Sequence, residues 1–202
     1  MISQLIDWIQ ISLNLLNRSS DRIIWNLFLA FIPLALSFYL FRLSATRNLI
    51  WWAILLVFVA FLPNASYILT DSIHIIELGQ SYPNWAIILI LIPQYVLFII
   101  IGFEAYVICL TKLDSYLANL VTQKYLILVN GIVHGLCIIG IYLGRFERFN
   151  SWDLVTKPRK VIFTTRSDLS DFNSLLMMAI AWLIIWLLTE FIKLVNRKIR
   201  LI

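Results

Sequence analysis

Long apolar stretches without a charged residue dominate the pattern of hydrophobic and polar positions along this chain. Five such stretches, each of 18 to 26 residues, occupy residues 23–41, 48–70, 78–103, 125–144 and 172–189. A bilayer core of about 30 Å needs roughly 20 apolar residues per helix, so each stretch can cross a membrane or nearly do so. None shows the apolar–polar alternation of a membrane barrel strand. The pattern predicts an all-α integral membrane protein with about five transmembrane helices, over residues 23–41, 48–70, 83–110, 125–144 and 172–190.

The first sixteen residues show a different pattern, in which apolar residues follow one face of a helix. The members of this stripe are Ile2, Leu5, Ile6, Ile9, Leu13 and Leu16. A one-sided stripe too short to span a bilayer is typical of a helix that lies in the membrane interface. We therefore predict an N-terminal amphipathic interfacial helix over residues 1–16. Because the chain has no repeat or flexible linker, we expect residues 1–202 to form a single multi-pass membrane domain.

Composition and charge support the membrane assignment and bear on the partners. Hydrophobic residues make up 61% of the chain and charged residues 13%, far from the balance of a soluble domain. In such a chain the net charge of +5 does not indicate nucleic acid, because Lys and Arg beside membrane helices more often set the topology or contact anionic lipid headgroups. The lipid bilayer is the expected partner, and a homo-oligomer is left open. With five helices, Lys and Arg are equally numerous on the two sides of the membrane. If Arg145 and Arg148 serve a site and are set aside, the remaining count favours a cytoplasmic C-terminus. We expect a multi-pass protein of the cell membrane.

Polar residues cluster where the second predicted helix ends, in the stretch FLPNASYILTDSIHI at residues 61–75. Proline removes a backbone hydrogen bond, so we expect a kink or break near Pro63. If the helix continues, Asn64, Tyr67, Asp71 and His74 share one face about 80° wide. Such a stripe is typical of a polar cleft, because ionisable groups near hydrocarbon are costly. The alternative is a helix that becomes polar as it leaves the bilayer, with the aspartate as a cap.

A second polar cluster follows the fourth predicted helix, in the stretch GIYLGRFERFNSWD at residues 140–153. On a continuing helix Arg145 and Arg148 point the same way, which suits bidentate binding of a phosphate or carboxylate. Asn150 and Asp153 flank a predicted helix start. The alternative is a pair of arginines that reach the headgroups beside an aromatic anchor. Since the second and fourth helices run in the same direction, we expect both clusters on one side of the membrane.

The fourth predicted helix has two pairs of glycines at small-xxx-small spacing, Gly131/Gly135 and Gly140/Gly144. The two pairs lie on opposite sides of the helix and allow close packing against neighbours on both sides. We therefore expect this helix to be central. His134 is predicted to be a hydrogen-bonded residue between helices. Glu104 is either its partner or a residue at the opposite membrane interface.

The two polar clusters resemble motifs of a bacterial membrane family catalogued as domain of unknown function 1361. The matching residues are Pro63, Asn64, Ala65, Tyr67, Ile68, Thr70, Asp71 and His74, then Gly144, Arg145, Phe146, Arg148, Asn150, Ser151, Trp152 and Asp153. Ser66 stands where the family has a second proline, and Phe149 where it has a tryptophan. The likeness extends from the first helix to the fifth and implies a shared fold. The family has no established activity to carry over.

Three hypotheses for the function follow. The first is a polar site at one membrane face that handles an amphiphile, such as an anionic lipid, or a small anion. In it, Asp71 and His74 are acid/base candidates, whereas the ligand-binding candidates are Asn64, Tyr67, Arg145, Arg148, Asn150 and Asp153. The second is a non-catalytic scaffold whose polar motifs hold helices together. The third is a transporter or channel component that acts as an oligomer, with helix breaks at Pro63 and Pro93. The sequence predicts no metal site and no cofactor.

Overall fold

The computed structural model describes residues 2–44 and 46–199, which fold into helices without a β-strand. The α-helices are α1 (Ile2–Phe38), α2 (Leu49–Tyr67), α3 (Ile73–Gly79), α4 (Asn84–Ala86), α5 (Ile92–Leu117), α6 (Gln123–Arg145), α7 (Asp153–Thr156), α8 (Pro158–Ser170) and α9 (Phe172–Ile199). π-helical turns follow α1 at Tyr39–Leu43 and precede α5 at Ile87–Leu91, and a 3-10 segment, Ile68–Ser72, joins α2 to α3.

Among residues 2–44 and 46–199, five continuous helical spans are long and apolar enough to cross a membrane, which confirms the predicted number. They are Ile2–Leu43, Leu49–Gly79, Asn84–Leu117, Gln123–Arg145 and Phe172–Ile199. Their outer surfaces carry large apolar side chains, such as Leu49 and Leu56, that are more than 70% exposed. Exposing so much apolar surface to water is unfavourable, whereas contact with lipid chains is not. The protein is therefore a multi-pass helical membrane protein.

The N-terminal residues differ from the prediction, because residues 2–16 do not form a separate helix. From Ile2 onward the chain is part of α1, which continues without a break into the first span. No glycine or proline lies between residues 16 and 23, so continuing the helix costs less than ending it and starting another. Within this region Leu15 is buried and Trp8 contacts Trp85. The depth of these turns in the bilayer stays a prediction.

The second span changes its helical geometry later than the sequence suggested. Pro63 lies inside α2, which remains α-helical as far as Tyr67. The change occurs at Ile68–Ser72, where the chain tightens into a 3-10 segment before α3 begins. The predicted break near Pro63 was therefore misplaced by about one turn. At Pro93 a π-helical turn directly precedes the helix that holds the proline in its first turn. Proline has no N–H to donate, and the π-helical turn changes the backbone hydrogen-bond pattern at the point where that donor is missing.

The central helix is α5, so the prediction that α6 is central was wrong. α5 packs against α1, α2, α6 and α9, and it contributes the largest group of buried side chains. α6 packs mainly against α2 and α9. Its glycines account for part of this packing: Gly140 lies against Pro63 of α2, and Trp182 of α9 donates a hydrogen bond to the carbonyl oxygen of Gly131. Gly135 has no atom near enough to restrict a side chain there.

Candidate functional site

A cleft of about 890 Å³ opens at the membrane end where α2 and α6 finish. The volume lies at the upper end of the range for small-molecule sites. α1 and α6 both pack against α2, so α2 forms the floor of the cleft and the other two helices flank it. The segment 149–170, which includes α7 and α8, contributes the remaining lining.

The four polar residues predicted from the second span all line this cleft. They are Asn64, Tyr67, Asp71 and His74. The prediction assumed a regular α-helix, whereas Asp71 belongs to the 3-10 segment and His74 to α3. The four side chains nevertheless face the same space. The geometry therefore confirms the shared face, although the path of the backbone is different.

Asp71 is the most buried polar group of the cleft, with its side chain 1% exposed. Its carboxylate accepts a hydrogen bond from the Asn26 amide at 2.5 Å and one from the Arg145 guanidinium at 3.4 Å. His74 Nε2 lies 3.7 Å from the same carboxylate. Asp71 therefore joins α1, the end of α2 and the end of α6 through charge-assisted contacts.

His74 lies between two carboxylates. Its Nδ1 is 2.6 Å from Glu77 Oε2, and its Nε2 faces Asp71. The contact with Glu77 holds the imidazole in a fixed orientation, an arrangement that suits a general acid or base. Glu77 was not among the predicted site residues, although it lies one turn after His74 in the sequence.

Arg145, the last residue of α6, brings the two motifs together. Besides its contact with Asp71, its guanidinium donates a hydrogen bond to the carbonyl oxygen of Thr70 and lies 5.0 Å from the centre of the Tyr67 ring. The predicted proximity of the two clusters on one side of the bundle is thus observed. Through these contacts Arg145 holds the end of the second span, and it is not among the residues that line the cleft.

Arg148 does not join this group, and the prediction that it points the same way as Arg145 was wrong. α6 ends at Arg145, and Arg148 takes the left-handed backbone conformation with φ at 56°. The next residue, Phe149, donates its N–H to the carbonyl oxygen of Leu143 at 3.0 Å, which closes the turn. The exposed arginine side chain does not line the cleft. Arg148 therefore serves the turn through its backbone.

Replacing Arg148 with glycine is expected to leave the folded protein within about 1 kcal/mol of wild type. Glycine relieves the left-handed strain of about 1 kcal/mol but adds freedom to the unfolded chain, and the two effects oppose each other. Thermal unfolding in detergent measures the change in stability, and the amount of lipid that copurifies tests whether Arg148 binds a ligand. Loss of bound lipid in a folded Arg148→Gly variant would restore Arg148 as a ligand residue.

The remaining residues of the second motif divide into two roles. Asn150 and Ser151 line the cleft, and Ser151 Oγ accepts a hydrogen bond of 3.0 Å from the Asn64 amide. Asp153 is buried and is not among the residues that line the cleft. Its carboxylate accepts a hydrogen bond from the Asn150 N–H and pairs with Lys157, and these contacts lower its pKa below the usual value. Asp153 therefore holds the turn before α7, and its predicted ligand role is not supported.

α1 and α8 also line the cleft, although no residue of either helix was predicted to belong to the site. Arg22, Trp25 and Asn26 line the cleft from α1, and Arg166 lines it from α8. A signal was present in α1, because Arg22 and Asn26 are four residues apart and share one helical face. No local pattern showed that this face meets the end of α2.

A second polar network lies deeper in the bundle. The Tyr106 hydroxyl of α5 lies 2.8 Å from Nδ1 of His134 on α6. This contact confirms that His134 is a hydrogen-bonded residue between helices. Glu104, the candidate partner, instead accepts a hydrogen bond from Asn196. Lys193 pairs with Asp114, which also accepts a hydrogen bond from Asn130. These contacts join α5, α6 and α9. Within residues 2–44 and 46–199 there is no group of three or more His, Cys, Asp or Glu side chains placed to hold a metal ion.

Comparison with known proteins gives one match. No curated protein and no solved structure matches the chain. A family model, described as "Protein of unknown function (DUF1361)", matches residues 25–188. This range contains both polar motifs and most of the cleft lining, and it confirms the resemblance inferred from those motifs. The chain belongs to the DUF1361 family of proteins of unknown function.

Proposed function

We propose that this protein binds a lipid-like amphiphile in the cleft between α1, α2 and α6. The change of polarity along the cleft carries the proposal. At the membrane end its lining is polar, with residues such as Asn64, Asp71 and His74. Further along the same helices it is apolar, and includes Leu29, Val59, Ala60, Leu136 and Ile139. An amphiphile has a polar head and an apolar tail, so its head matches the polar part of the cleft and its tail the apolar part.

The depth of the cleft supports a ligand drawn from one leaflet. Along the second span the lining begins at Val59, and Asp71, in its polar part, lies twelve residues further on. At 1.5 Å per residue this separation corresponds to roughly 18 Å. Half of a hydrocarbon core of about 30 Å is roughly 15 Å. A tail bound in the cleft therefore reaches about as far into the membrane as the chains of one leaflet.

Access from the bilayer is supported by the exposure of the lining. Trp25 of α1 and Leu136 of α6 line the cleft and are both about half exposed. They lie on transmembrane spans, where an exposed side chain faces lipid rather than water. A lipid tail can thus enter from the side, while the head group meets the polar end.

The polar residues then take separate roles. Asn64, Tyr67, His74, Asn150 and Ser151 line the cleft and are placed to contact a head group. Asp71 and Arg145 hold the surrounding helix ends in position. His74, oriented by Glu77, is the strongest candidate for an acid or base should the head group undergo a reaction.

Filling the apolar part of the cleft tests the proposal. Leu136→Trp places a larger ring on the cleft wall and is expected to weaken lipid binding roughly tenfold, which corresponds to a steric cost near 1.4 kcal/mol. The control is Ile127→Trp, because Ile127 is exposed on α6 but does not line the cleft. Native mass spectrometry of both variants in detergent counts the retained lipid.

The outcome also separates the rival functions. Equal lipid retention in both variants and in wild type would contradict the amphiphile site and favour a scaffold held together by the polar motifs. A transporter component would show protein-dependent movement of an anion across vesicle membranes.

A further inference from the structure

The cations that line the cleft are not the ones suggested by the sequence. Arg145 is used by Asp71 and Thr70, and Arg148 lies outside the lining. Two other arginines line the cleft, Arg22 from α1 and Arg166 from α8. They belong to elements far apart in the sequence that face the same space.

Both of these arginines have hydrogen-bond donors to offer. A guanidinium carries five N–H donors. Among the described residues Arg22 has one ionic contact, 4.0 Å from Glu77, a carboxylate already bonded to His74 at 2.6 Å, and its guanidinium also lies near the Tyr95 hydroxyl. Arg166 forms no ion pair with any residue among 2–44 and 46–199. Their positive charges are therefore available to a ligand.

The acidic side of the cleft does not cancel this charge. Asp71 is the acidic residue of the lining, and its carboxylate is paired with Arg145 and Asn26. With that pair neutral, the lining keeps the positive charges of Arg22 and Arg166. The connection over the cleft adds to this charge, since residues 145–171 contain six basic and four acidic residues.

We propose that the amphiphile carries a phosphate head group without a compensating cation, and that Arg22 and Arg166 hold this phosphate. The inference rests on the proposed function. Arginine is suited to the task because its planar fork donates two parallel hydrogen bonds to a phosphate. A zwitterionic head group would bring its own cation beside the two arginines and lose part of the attraction.

Binding of the phosphate links α8 to α1. Arg166 lies on α8, whose side chains Val161, Ile162 and Leu169 also line the cleft. A phosphate held by both arginines would fix α8 across the membrane end of the cleft. The amides of α8 are therefore expected to exchange hydrogen more slowly when the phosphate lipid is bound.

The test compares lipids that share their acyl chains and differ in the head group. The full-length protein in detergent is titrated with phosphatidic acid and with phosphatidylcholine, and binding is measured by native mass spectrometry. Wild type is expected to prefer phosphatidic acid by at least about tenfold. Arg22→Gln and Arg166→Gln are each expected to reduce this preference several-fold, because each removes charge-assisted hydrogen bonds to the phosphate. The double variant is expected to bind both lipids equally. Matched controls are Arg18→Gln and Arg159→Gln, on the same two helices but outside the lining.

The possible outcomes separate this inference from the proposed function. Retained phosphatidylcholine binding shows that a variant is folded. If wild type binds both lipids equally but Leu136→Trp weakens both, the phosphate assignment is wrong and the amphiphile site stands. If Leu136→Trp changes neither, the amphiphile site itself is wrong. Displacement of phosphatidic acid by inorganic phosphate at equal concentration would identify free phosphate as the ligand and overturn the lipid assignment. Hydrogen exchange in α8 that phosphatidic acid does not slow would contradict the bridging role of Arg166.

Discussion

Replacing Asp71 with alanine is expected to lower the free energy of unfolding by about 3 kcal/mol. The substitution leaves the Arg145 guanidinium without its carboxylate partner at a site where that side chain is only 20% exposed. It also removes the acceptor of the Asn26 amide, so that contacts from α1 and α6 to the second span are lost together. A partly buried charge whose partner is removed accounts for most of such a cost.

Thermal unfolding of purified protein in detergent, followed by intrinsic tryptophan fluorescence, measures this effect. Asp21→Ala is the matched control, because Asp21 is an exposed carboxylate on α1 one residue from Arg22. The double variant Asp71→Ala/Arg145→Leu removes both charges and should recover part of the lost stability. An unfolding temperature unchanged by Asp71→Ala would show that the Asp71–Arg145 pair does not hold the helix ends together.

Gly140→Ala is expected to destabilise the protein by about 2 kcal/mol through overpacking. A Cβ at this position would lie 2.7 Å from both Cβ and Cγ of Pro63. A proline ring cannot rotate out of the way, so α6 would have to move away from α2. That movement would also disturb the cleft, which both residues line. Reduced unfolding temperature together with reduced lipid retention is the expected result.

Gly135→Ala is the control on the same helix. No atom lies within 4 Å of a Cβ built at Gly135, and alanine has a higher helix propensity than glycine by about 1 kcal/mol. This variant should be as stable as wild type or more so. Equal effects of the two substitutions would mean that the close contact between α2 and α6 does not limit their approach.

Much of the fold could be predicted from the sequence because membrane insertion depends on local properties. The length and apolarity of each stretch decide whether it can span the bilayer, so five spans were expected and five are observed. The expectation that both motifs lie on the same side of the membrane followed from counting the helices between them. The polar stripe at residues 64–74 was also readable, since polar side chains at helical spacing stand out in an apolar stretch.

The parts that were predicted wrongly depend on backbone turns and on contacts between distant segments. Arg145 and Arg148 are three residues apart, yet a turn in the left-handed conformation separates their side chains. α5 rather than α6 is central, although the glycine pairs of α6 indicated otherwise. Small residues permit close packing but do not determine how many neighbours a helix has.

The sequence by itself determined that this is a five-span helical membrane protein with two polar motifs at one end, because these properties follow from composition and spacing along the chain. Only the tertiary structure decided what the motifs form. The packing of α1 against α2 brings Arg22 and Asn26 to Asp71, and the fold of residues 149–170 places α8 and Arg166 beside the same cleft. The Asn26–Asp71 contact joins residues 45 positions apart, and Arg22 and Arg166, which line the same cleft, are 144 positions apart. These placements depend on the shape complementarity of packed helices, which no local pattern of apolar and polar residues specifies.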